Sequence, residues 1–98
     1  MVISKELPAA LAATAQRRNW YTRDNAEQLL DWIEETDQRF LGVDVAQEQE
    51  DGSWLLIDEG LDLARQTKNF EAVRRGRQFI TEYDGMGRKF APVWQDRR

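Results

Sequence analysis

Neither cysteine nor histidine occurs in the chain. Their absence excludes disulfide staples, thiolate and imidazole nucleophiles, Cys/His zinc sites and histidine acid–base catalysis. Serine is scarce as well: Ser4 and Ser53 are the two in the sequence, and no histidine exists to activate either. No apolar run approaches the roughly 18 residues that a membrane span needs. Residues 1–6 show neither the basic head nor the long apolar stretch of a signal peptide. A chain without cysteine fits the cytoplasm, where disulfides are rare. What remains for chemistry is carboxylates, arginines, lysines and aromatics. Four tryptophans are many for this length, and tryptophan serves cores and partner surfaces alike.

At 98 residues the chain makes one domain, with 41% hydrophobic and 33% charged residues, a globular composition. The net charge of −4 is unevenly distributed. Residues 40–64 carry Asp44, Glu48, Glu50, Asp51, Asp58, Glu59 and Asp62 and no basic residue. The C-terminal third is basic, with Arg74, Arg75 and Arg77 among its cations. Two readings follow. The acidic and basic segments pair in the fold and cancel, or the acidic segment forms a face that attracts a basic partner and repels nucleic acid. Nucleic-acid binding by the arginine cluster is the weaker reading, because no known binding motif accompanies it.

Periodicity predicts the order α-α-β-β-α-β, an α+β fold. Two N-terminal helices precede an antiparallel β-hairpin, and one helix leads to a C-terminal strand that joins a small sheet. Ser4 can cap a first helix that ends near residues 16–18, with Leu7, Leu11 and Ala15 on one face. Asp24 with Glu27 resembles a capping box for a helix over 24–37, striped by Ala26, Leu29, Leu30 and Ile33. From Phe40 the period changes to two, and Glu50-Asp51-Gly52 supplies a turn before a second strand. A two-residue turn would set Val45 opposite Asp58 and mix apolar with acidic groups. A three-residue turn with Gly52 left-handed sets Val45 opposite Ile57, Gln47 opposite Leu55 and Leu41 opposite Leu61. The second register is preferred because it gathers Leu41, Val43, Val45, Leu55 and Ile57 on one face. Asn69 is placed as the cap of a third helix over 70–83, closed by a left-handed Gly85. On its buried stripe, Gly76 allows close approach to the sheet. Pro92 in the last strand, lacking an N–H, predicts an edge position or an early end of pairing.

The preferred register puts Asp44 directly across from Asp58, on a face shared with Glu48 and Trp54. Like charges in such a pair destabilise a sheet unless arginine, a cation or a basic partner covers them. The candidate partner-binding residues are therefore Asp44, Glu48, Trp54, Asp58 and Asp62. Trp54 is either covered by the C-terminal segment or an exposed anchor within an acidic rim. No calcium-loop spacing is present, so neither a metal nor a cofactor is expected. A two-carboxylate hydrolase is a remote alternative, since a domain this small has little room for a substrate cleft. Gly85-Met86-Gly87 lacks the context of a phosphate loop.

Phe40-Leu41-Gly42-Val43-Asp44-Val45, the following strand with Trp54, and the helix ending Phe79-Ile80-x-x-Tyr83 together resemble the immunity protein 40 family. Leu7-Pro8, Leu29-Leu30 with Ile33, and Phe90-x-x-Val93 extend the resemblance over most of the chain. Val43 stands where the family pattern has a second glycine, and Phe79 where it has tyrosine. The resemblance implies a small non-enzymatic α+β protein that binds and blocks a bacterial toxin. It implies no catalytic residues. An accessory protein acting as a homodimer or complex subunit is the alternative expectation.

Overall fold

The computed structural model describes residues 7–17, 19–65 and 68–95, with Asp58 and Glu59 described by backbone alone. The elements are α1 (Ala9–Ala12), α2 (Arg23–Glu35), β1 (Arg39–Glu48), β2 (Trp54–Asp62), α3 (Asn69–Tyr83) and β3 (Arg88–Gln95), the α+β order expected. The strands form one antiparallel sheet in the order β2-β1-β3. α2 and α3 lie side by side on one face of β1 and β3, and β2 makes its main contacts with β1 alone.

The core fills the space between the two long helices and the sheet. Leu29, Leu30 and Ile33 of α2 and Val73 and Ile80 of α3 meet Phe40, Val43, Val45 and Phe90, all essentially inaccessible to water. These are the predicted stripes, and their burial supplies the main stabilising term of so small a domain. At Gly76 the approach is as close as the sequence suggested: a Cβ there would stand 2.5 Å from Phe40 Cε2.

The first helix is a single turn and does not reach residues 16–18. The Thr14 hydroxyl donates to the Leu11 carbonyl at 2.6 Å, Arg17 turns left-handed at φ 44°, and Gln16 and Trp20 exchange backbone hydrogen bonds. Hydroxyl-to-backbone bonding of this kind competes with helix continuation. The segment folds back and is tied to β3, where Tyr21 and Phe90 exchange both bonds at 2.8 Å. Leu11 is buried, with Leu7 and Ala15 packed beside it as expected. The proposed cap Ser4 lies outside the described residues.

α2 starts one residue earlier than predicted, behind Thr22, and no side chain caps it. The Asp24–Glu27 capping box does not form; Glu27 faces Arg23 at 3.7 Å instead. At the other end Asp37 is left-handed at φ 53°, its N–H bonds the Glu34 carbonyl and the Gln38 N–H bonds the Ile33 carbonyl. That is the Schellman arrangement, with aspartate in the place glycine usually takes. Asn69 does not cap α3: the cap position is Lys68, and the Asn69 side chain reaches the sheet. Nor is Gly85 left-handed. α3 leaves through an extended Asp84, and Gly87 at φ 75° makes the turn into β3.

The hairpin has the preferred register next to its turn, pairing Val45 with Ile57 and Gln47 with Leu55, and Gly52 is left-handed at φ 86°. Beyond Ile57 the register slips. Leu61 pairs with Val43, not Leu41, because residues 58–60 bulge opposite Asp44. Asp44 and Asp58 are consequently not a registered pair, which corrects the expected opposition. A second irregularity leaves Leu41 unpaired between Phe40 and Gly42 on the β3 side. β3 is an edge strand, as Pro92 suggested, but pairing continues past Pro92 to Gln95.

Candidate functional site

The sheet face turned away from α2 and α3 carries the acids. Strand alternation sends Val43 and Val45 to the helices and Asp44, Ala46 and Glu48 to the opposite side. On β3, Ala91 and Val93 lie across from Asp44 and Gly42 on that same side. Ala46 and Ala91 are buried but belong to a separate cover, outside the main core. The cover comes from the N-terminal segment. Trp20 meets Trp54 edge to face with centroids 6.1 Å apart, and the Arg17 guanidinium stands 4.3 Å over the Trp54 ring. Arg17 also donates to the Gly52 carbonyl at 2.7 Å, holding the segment against the hairpin tip.

Trp54 is therefore half-buried beneath Arg17 and Trp20, rather than covered by the C-terminal segment. Its indole N–H is shielded and has no partner among the described residues. At the same tip Asp51 accepts the Ser53 N–H at 2.9 Å and the Ser53 hydroxyl at 2.6 Å. Both bonds favour the ionised form and hold the Asp51 carboxyl below its usual value. On the β3 side burial pushes the Tyr21 hydroxyl up.

Asp44 is exposed, opposite the bulge, where Gly60 makes room for its carboxylate: a Cβ at Gly60 would stand 2.7 Å from Asp44 Oδ1. The carboxylate borders two clefts. One, of about 380 Å³, is lined by Asn19, Trp20, Asp44 and the β3 residues 91–94. The other, of about 240 Å³, lies over the bulge between Leu56, Leu61 and Asp62. Asp62 accepts the Ala64 N–H at 3.0 Å and also borders a smaller cleft with Arg65 and Arg75. Glu48 is exposed opposite Trp54. The Asp58 side chain lies outside the described set.

The basic third of the chain does not cover these acids among the described residues. Arg77 pairs with Asp31 and approaches Glu34 at 3.9 Å, both on α2. Arg88 donates through Nε to Gln47 Oε1 at 2.6 Å, and Arg74 and Arg75 are exposed. Arg23 is held by Asp84 at 2.9 Å, and that bond, with Glu27 nearby, raises its already high pKa. No ion pair reaches Asp44, Glu48 or Asp62 among the described residues. No group of three acidic residues converges as a metal site there either.

The structure thus brings Asp44 and Asp62 to one cleft, sets Glu48 beside Trp54, and adds residues the sequence reading had not included in the site: Asn19, Trp20 and Trp94. In the sequence both tryptophans look like packing residues, and Trp94 does pack edge to face on Trp32 at 5.7 Å; Trp20 was missed as a site residue because nothing local signals that the 16–21 segment crosses the sheet. An arrangement of this kind, a lone carboxylate between an aromatic cleft and an aliphatic one, binds cations by charge and by contact with ring faces. The chain matches no family model, no curated protein and no solved structure. Among the described residues no helix is long and apolar enough to cross a membrane.

Proposed function

We propose that this is a small non-catalytic binding protein of the bacterial cytoplasm that neutralises a cognate toxin, engaging a basic surface of it through the acidic sheet face. One observation carries the reading. Asp44, without a cation partner among the described residues, walls two clefts on the sheet face opposite the long helices. A carboxylate left in this position attracts basic groups and repels nucleic acid. The resemblance to immunity protein 40 and the acid-only stretch over 40–64 support the same reading. Co-expression with the polypeptide encoded beside this protein's gene tests it. The expected result is that this protein restores the growth of cells which that polypeptide arrests. Arrest without rescue, or a neighbour with no toxicity, overturns it.

A second reading has its own observation. Leu55 and Leu56 are 61% and 58% exposed on opposite faces of β2, the strand that the helices leave bare. Apolar residues on an open strand suit pairing with a second copy or a complex subunit. A dimer in sedimentation equilibrium, with no toxic neighbour, favours this reading over the first.

A further inference from the structure

We infer that the cleft bounded by Trp20 and Asp44 seats the guanidinium of an arginine side chain presented by the partner. The inference rests on the reading of this sheet face as a partner surface and adds what the surface recognises.

Four features select that ligand. One side is formed by Trp20, an indole that can attract a cation, and Ala91 and Val93 supply apolar surface beside Asp44; Trp94 also borders the cleft but turns its ring onto Trp32 of α2, 5.7 Å between centroids. Asp44 supplies the one formal charge among the described lining residues, so an anion is repelled and a neutral group would leave the carboxylate unmatched. Asn19 adds an amide able to accept a hydrogen bond. Among cations, guanidinium is flat, weakly hydrated and able to stack on an indole while forking onto a carboxylate; a lysine ammonium is compact and strongly hydrated.

The same face already uses this mode internally. Arg17 lies 4.3 Å over the Trp54 ring, beside Trp20, so one wall of the cleft is continuous with an arginine–tryptophan stack that the chain makes for itself. There Arg17 also donates to the Gly52 carbonyl; the cleft offers an indole again, with the Asp44 carboxylate as the acceptor and no arginine among the described residues. At about 380 Å³ it lies at the small end of the roughly 300–1,000 Å³ typical of ligand sites, suited to a side chain rather than to a large cofactor.

The test uses the whole chain and three small probes: N-acetyl-arginine amide, its neutral analogue N-acetyl-citrulline amide, and N-acetyl-lysine amide. The four tryptophans give four indole N–H signals in a nitrogen-15 correlation spectrum. The arginine probe should move the Trp20 signal at millimolar concentration and leave Trp32 and Trp94, which pack on each other at the helix side of the sheet, in place. Citrulline should not move the Trp20 signal, and lysine should bind several-fold more weakly. Asp44→Asn should weaken the arginine response about tenfold or more, while Glu48→Gln, on the same face but outside the cleft, should not. An unmoved Trp32 signal in each variant checks that the fold is retained. Equal responses to arginine and citrulline, or to arginine and lysine, overturn the assignment, as does a response that misses Trp20. Failure here is separable from failure of the proposed function. Growth protection that survives Asp44→Asn leaves the function and removes the cleft. Arginine binding without any protection does the reverse.

Discussion

Asn69 stands where a helix cap is expected and is used to hold a strand. Its amide accepts the Phe40 N–H at 2.9 Å and donates to the Gln38 carbonyl at 2.7 Å. It thus imitates a peptide unit beside the start of β1. The need arises locally, because the Schellman turn at Asp37 delivers Gln38 into the interior and the irregularity at Leu41 interrupts the ladder to β3. Gln38 is fully buried, its side-chain polar atoms lack partners among the described residues, and its main-chain N–H and carbonyl are bonded to Ile33 and Asn69. Asn69→Ala leaves a donor and an acceptor unmatched together and should cost about 2–4 kcal/mol in urea unfolding. A loss below about 0.5 kcal/mol, the size of an ordinary surface substitution, would show that water replaces both bonds.

At the level of elements a close tolerance lies between α3 and β1. Gly76→Ala gains about 1 kcal/mol of helix propensity. The new methyl meets the buried Phe40 ring, and overpacking of this kind costs about 1–3 kcal/mol. The net expectation is destabilisation in thermal unfolding, relieved when Phe40→Leu is added. Two singles whose losses simply sum in the double variant would count against the contact. This approach was legible in the sequence, as were α2, α3 and the tip of the hairpin, because each follows from a period or a turn that a few neighbouring residues define. The bulge at 58–60 was not. It depends on the approach of Gly60 to Asp44, two residues that alternation alone would never have set together. The short α1 was missed for a related reason: its alanines favour helix, but the residues after them are committed to crossing the sheet.

For the molecule as a whole, the acid-only segment was visible in the composition, whereas the clefts were not, since Trp20, Asp44 and Trp94 meet only through the tertiary fold. One feature of that fold bears on how solutions of the protein behave. Among the described residues the outer edge of β2 pairs with no further strand, and the strand carries two exposed leucines. At neutral pH molecules with a net charge of −4 repel one another before such edges can meet. Near pH 4.8, where the sequence's charges balance, that repulsion vanishes and strand-to-strand association has nothing to oppose it. Light scattering across an acid titration should show turbidity rising toward that pH. Leu55→Asn with Leu56→Asn leaves the charge unaltered, so clearing of the turbidity in that variant assigns it to the strand, and equal turbidity assigns it elsewhere. The acids that invite a basic partner at neutral pH are, on this account, also what keeps the protein in solution until one arrives.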